Sequence, residues 1–134
     1  MKIDGVCHCG EITYRAEVDA DGIEICHCTD CQTLSGSAYR SVAPALEGTF
    51  ELLTGELKRY VKTGENGNPR VQTFCPNCGT PIFSSPPEGV SGFFGIRVGS
   101  IKQRDALVPS HQIWCRSAQP WTQDLSQMVK TDTQ

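Results

Sequence analysis

Eight cysteines punctuate this sequence of 134 residues, and seven of them fall into three short groups. The densest is Cys26-His27-Cys28-Thr29-Asp30-Cys31, three thiols within six positions. If 23–28 is extended, successive side chains alternate between faces. Cys26 and Cys28 then share one face, and Ile25 and His27 take the other. Thr29 and Gln32 read as a capping box, Thr-x-x-Gln, that starts one or two helical turns ended by Gly36 and carries Cys31 on the first of them. Three thiolates would thereby meet at one metal ion and leave a tetrahedral zinc one ligand short, the arrangement of a reactive site rather than a structural one.

The remaining groups are Cys7-x-Cys9 and Cys75-x-x-Cys78. In the second pair Pro76 sets the turn after the first sulfur, and Gly79 permits a positive φ after the second. Two plus two makes a closed four-sulfur zinc site. Closing the chain between Cys9 and Cys75 costs roughly 4 kcal/mol in loop entropy. A structural zinc offsets that cost, because it contributes on the order of 10 kcal/mol or more to folding. His8 and His27 each sit between two cysteines, but strand alternation aims them away from a shared metal, toward packing or a supporting hydrogen bond. Cys115, beside Trp114, is left over and reads as a small buried hydrophobe. His111 reads as an ordinary loop histidine or a proton carrier near the site.

The elements that must position these groups are short strands. Ile12, Tyr14, Ala16 and Val18 alternate with Thr13, Arg15 and Glu17, which predicts a half-buried strand over 12–18. A second strand over 23–28 runs into the three-cysteine cluster. Further strands are predicted at 38–43, ended by Pro44, and at 50–53, 57–62, 71–74, 82–83, 93–101 and 113–114. Gly64-Glu65-Asn66-Gly67-Asn68-Pro69 is the strongest hairpin loop. Gly95 and Gly99 mark a bulge or a close backbone approach. The aromatics Tyr39, Phe93, Phe94 and Trp114 line a pocket or pack in the core. The residues 123–134 form a weak helix or a frayed tail. The pattern is an all-β domain with one short helix, spanning 1–134 as a single unit with its core at about 5–121 and a polar tail at 122–134.

With 38% hydrophobic and 20% charged residues and a net charge of −3, the chain reads as a soluble globular protein. It has no basic cluster or aromatic-basic interleaving for a nucleic-acid groove. The start, Met1-Lys2-Ile3-Asp4-Gly5, lacks the apolar core of a signal peptide, and no run is long enough to span a bilayer. A cytoplasmic location is expected. In that reducing compartment the cysteine spacings favour metal ligation over disulfides.

The order Cys-x-Cys, Cys-His-Cys-x-x-Cys, Cys-x-x-Cys-Gly, with a late Ile-Trp and a Gln-Pro-Trp, resembles the glutathione-dependent formaldehyde-activating enzyme family, which includes the centromere protein V group. The resemblance spans 5–121. It implies a β-tent fold of antiparallel sheets with two zinc sites, a structural one on Cys7, Cys9, Cys75 and Cys78 and a catalytic one on Cys26, Cys28 and Cys31. It also implies a carbon–sulfur lyase that joins glutathione to formaldehyde as S-(hydroxymethyl)glutathione. Many members carry Arg or Lys just after the third cysteine of the cluster, where this chain has Gln32.

Zinc on three thiolates suits capture of a substrate thiol as thiolate in the fourth position, and such a thiolate is a nucleophile toward a small aldehyde. Glutathione carries two carboxylates, which call for cations; Arg40, Arg97 and Arg116 are the candidates, with a solvated surface arginine as the alternative for each. Two other readings stay open. All the zinc is structural and the domain is a non-catalytic binding or chaperone module, with Cys115 or His111 closing the second site; or the four-cysteine site holds an iron–sulfur cluster.

Overall fold

The computed structural model describes residues 1–133 and contains ten strands and one α-helix. The strands are β1 (Lys2–Val6), β2 (Thr13–Glu17), β3 (Glu24–Cys26), β4 (Arg40–Pro44), β5 (Glu51–Thr54), β6 (Lys58–Thr63), β7 (Pro69–Phe74), β8 (Pro81–Ser85), β9 (Gly95–Arg97) and β10 (His111–Ile113), and α1 is Thr29–Ser35. They form two sheets, a three-stranded one in the order β1-β2-β5 and a seven-stranded one in the order β10-β3-β4-β9-β8-β7-β6. Isolated bridges from Gly5 to Ile101 and from Val18 to Ala45 link the three-stranded sheet to segments flanking the larger one.

Alternation in β2 produces the core. Tyr14 and Ala16 point inward, continued by Ile12 and Val18 at either end, and meet Ile23, Ile82, Ile96 and Ile101. Tyr14 is the largest fully buried side chain; its ring stacks on Phe50 at 5.2 Å, and its hydroxyl lies 2.7 Å from Ser100 Oγ. Gly5, opposite Tyr14 on β1, is required by that ring, because a Cβ there would stand 1.9 Å from Tyr14 Cζ. Phe50, Phe83 and Phe94 complete an aromatic cluster, so Phe94 is a core residue.

Several expectations are corrected. β1, which has no clear alternation of its own because Gly5 takes an inward position, is an added strand. The expected strand 23–28 is regular only over Glu24–Cys26; the His27 N–H still donates to the Ile113 carbonyl at 3.1 Å, whereas Cys28 leaves the ladder and is free to cap α1. The segment 93–101 is extended only at Gly95–Arg97 and then tightens into a 3₁₀ turn at Val98–Ser100. The close approach expected there is real at Gly95, where a Cβ would meet Val42 Cγ1 at 2.6 Å. The last strand pairs parallel to β3, so the large sheet is mixed rather than wholly antiparallel. Of the weak helix or frayed tail expected over 123–134, no helix forms among the described residues; a 3₁₀ turn at Pro120–Gln123 ends where that segment begins, and Gln134 lies outside the described residues.

Candidate metal centres and the cavity beside them

Cys7 and Cys9 lie in the turn after β1, and Cys75 and Cys78 in the turn after β7. The two turns are built alike. The N–H of Cys7 donates to the Ile12 carbonyl and that of Cys75 to the Thr80 carbonyl, each at 3.0 Å. Gly10 and Gly79 then close back on Cys7 and Cys75 in left-handed conformation, with φ of 84° and 73°. The His8 N–H reaches across to Thr80 Oγ1 at 3.0 Å and locks one turn to the other. All four sulfurs fall within 4.8 Å of one another, with Cys7 to Cys9 at 3.4 Å and Cys9 to Cys75 at 3.7 Å. A tetrahedron of zinc–sulfur bonds of about 2.3 Å has edges of about 3.8 Å, so this donor set fits a zinc-sized ion. The Thr80 hydroxyl and N–H hold the Cys78 thiol down at about 5, which favours the ligating thiolate.

The three-cysteine cluster is assembled by the junction of β3 and α1. Cys26 ends β3, Cys31 sits in the first turn of α1, and Cys28 is the helix cap, its Sγ accepting the Cys31 N–H at 3.3 Å. The cap is therefore a cysteine sulfur rather than the Thr29–Gln32 box. Gln32 instead donates to the carbonyls of His27 and Ser117, fastening the helix to the late part of the chain. Gly36 ends α1 in left-handed conformation, as expected. The three sulfurs lie within 4.8 Å of one another, and among the described residues no fourth His, Cys, Asp or Glu joins them. Hydrogen bonding from Cys26 and Cys28, with the positive charge of Arg40 and Arg97, pulls the Cys31 thiol down to about 6, whereas sharing its hydrogen with Cys31 and burial push Cys26 up.

Arg40 and Arg97 are 6% and 7% exposed, and neither pairs with a carboxylate among the described residues. Arg40 stands directly across from Cys26 in the β3–β4 register. Both guanidinium groups donate to one acceptor, Gln72 Oε1, at 3.3 and 2.9 Å, and Arg97 Nε has no partner. Burial lowers both arginines from their usual range, Arg97 to about 10. Two unpaired buried cations would be costly without an anion, and the sulfur cluster supplies one.

A cavity of about 200 Å³ opens on the three sulfurs. Arg97, Arg70 and Lys62 bring positive charge to its wall, with Gln72 between them. Lys62 pairs with Asp30, while Arg70 donates to the Phe93 carbonyl at 2.8 Å and to Ser84 Oγ at 3.1 Å. Sequence reasoning missed Arg70, Lys62 and Gln72. Their signal was the β6–β7 hairpin, where Lys62 faces Arg70 and Gln72 follows two places on, on the same face.

The other candidates lie elsewhere. Arg116 is exposed, ion-paired to Glu65, with its guanidinium 4.8 Å over the Trp114 ring. Cys115 is exposed, a correction to the buried position expected for it. His111 pairs with Glu24 at 3.4 Å. His27 is buried edge-on to Tyr39, with Nε2 at 2.7 Å from Gln112 Oε1, and His8 is exposed; neither joins a metal-ligating group. Phe93 lines the cavity wall, and Trp114, at φ 58°, borders an adjoining groove that includes Cys28. No helix of the described residues is long and apolar enough to cross a membrane.

A family model described as glutathione-dependent formaldehyde-activating enzyme matches residues 2–117. The chain is also similar in fold to a crystal structure of a Rhodobacter sphaeroides protein, with a TM-score of 0.61 and 20% sequence identity over 84% of this chain and 99% of that one.

Proposed function

Because this chain belongs to the glutathione-dependent formaldehyde-activating enzyme family, we propose that it is a zinc-dependent carbon–sulfur lyase of the β-tent fold, acting on the adduct of a thiol, glutathione first, with a small aldehyde. The observation that carries the reading is the unequal division of the sulfurs. Four lie together in tight turns, whereas three lie beside two buried arginines and open on a cavity. Cys7, Cys9, Cys75 and Cys78 take the structural role and Cys26, Cys28 and Cys31 the catalytic one.

Bound to Cys26, Cys28 and Cys31, a zinc ion would offer its fourth position to the substrate sulfur and favour its thiolate form. In the forward direction the sulfur lone pair forms the carbon–sulfur bond to the aldehyde carbon, the carbonyl π bond breaks, and the thiol proton ends on the former carbonyl oxygen. The reverse direction breaks the same bond and returns thiol and aldehyde.

The chain's own residues prepare this step. Three thiolates around a divalent ion leave one net negative charge, and a substrate thiolate adds another. Arg40 and Arg97 offset that charge from beside the cluster, both held on Gln72 Oε1. Arg97 and Arg70 are the groups available to a substrate carboxylate in the cavity, since neither has one from the protein. Leu34, Phe93 and Ile113 supply apolar wall that limits water around the sulfurs.

Equilibrium dialysis of the zinc-loaded protein against glutathione tests the reading. Two zincs per chain are expected, one displaced or masked by thiol, with glutathione retained by the native protein and not by the Cys28→Ser variant. Two equally inert zincs and no retained glutathione would instead identify a structural binding module.

A further inference from the structure

The cavity beside the three cysteines has a larger neighbour of about 410 Å³, which shares Leu34 and Gln72 with it. Side chains two apart share a face, so Arg70, Gln72 and Phe74 form one row along β7, and Lys62, Tyr60 and Lys58 form another along β6. Arg70 and Lys62 line the sulfur-side cavity, whereas Phe74, Tyr60 and Lys58 line the larger one. Gln72 and Leu34 line both, and Leu34 sits one helical turn beyond Cys31. The two cavities therefore meet at Leu34 and Gln72.

Their linings differ in chemistry. The larger compartment is walled by Leu34, Tyr60, Phe74, Pro81 and Phe83, and its charged residues are all cations, Arg40, Lys58 and Arg59. No carboxylate lines it. An apolar chamber with only positive charge is complementary to an apolar body that ends in an anion. Its volume also lies far above what a one-carbon aldehyde group occupies.

We propose that this compartment is the second half of the substrate site, and that the substrate carries an alkyl or aryl group ending in a carboxylate, seated against Tyr60 and Phe74, while its sulfur is held at Cys26, Cys28 and Cys31. This rests on the thiol-capture reading above and extends it by naming the class of the substrate's non-sulfur part. The apolar group supplies affinity through burial, and Lys58 meets its anionic end.

Calorimetric titration of the zinc-loaded full chain with 2-mercaptoethanol, hexanoate and 6-mercaptohexanoate separates the possibilities. The bifunctional thiol is expected to bind at least about tenfold more tightly than 2-mercaptoethanol, because only its chain reaches apolar wall. That ratio is expected to collapse toward one in Tyr60→Ala and to fall in Lys58→Glu. The inference alone is overturned if 2-mercaptoethanol binds and 6-mercaptohexanoate gains nothing over it, or if the gain survives both substitutions. If hexanoate binds in a Tyr60-dependent way and neither thiol binds, thiol capture itself fails, and with it the claim that the compartments share one substrate.

Discussion

Replacing Cys75 and Cys28 by serine, one at a time, probes the difference between the two sulfur clusters most directly. The four-cysteine group joins the turn after β1 to the turn after β7, and a metal there closes a loop whose inner sulfurs are 66 positions apart. The entropy of that closure amounts to roughly 4 kcal/mol, against about 1.4 kcal/mol for the short loop between Cys26 and Cys31. Losing the tie should thus cost Cys75→Ser at least that larger figure, a substantial share of a stability of about 5–15 kcal/mol. For a chain of this length, 1 kcal/mol shifts the melting temperature by about 3–4 °C, so Cys75→Ser should melt about 14 °C or more below the native protein. Cys28→Ser should lose less than about 6 °C while abolishing thiol binding. Differential scanning calorimetry of zinc-loaded proteins, repeated with a chelator, provides the measurement. Equal losses in the two variants, or a larger one in Cys28→Ser, would refute the assignment of structural and reactive roles.

Arg97→Met removes a buried cation of similar length while leaving Gln72 bonded to Arg40; glutathione affinity should fall by about tenfold with the fold retained, as read by dialysis and circular dichroism. An undiminished affinity would remove Arg97 from substrate binding. Gly5→Ala forces a methyl into the Tyr14 ring and should cost about 1–3 kcal/mol or more in urea denaturation, and an unchanged midpoint would contradict the packing described. Burial holds the Tyr14 phenol up at about 12, against 10 when exposed. Its neutral form is favoured by folding, so that contribution is intact below pH 10 and is lost as pH rises toward 12, by about 1.4 kcal/mol per unit. In Tyr14→Phe this part of the alkaline decline should vanish from denaturation curves taken across that range.

The two sulfur clusters and the helix end were legible in the sequence, because their determinants are local. Spacing along an extended segment places Cys26 and Cys28 on one face, and Gly36 can end a helix wherever it stands. The strand through Tyr14 declared itself by alternation, since a half-buried strand needs only a period of two. What the linear order left open depended on distant residues. Cys28 could cap α1 only once β3 stopped at Cys26, and that stop is set by pairing with β4 and β10. The parallel docking of β10 has no local signature, because it rests on a return of the chain from more than eighty positions away. Arg40 and Arg97 carry the charge pattern of surface residues, yet the sheet brings them together on Gln72 beside three thiols. Only that proximity makes their burial tolerable, since a guanidinium leaves water when an anion is held close enough to replace it. The sequence by itself determined which atoms can bind a metal; the tertiary structure decided which charges surround them and what space lies beside them.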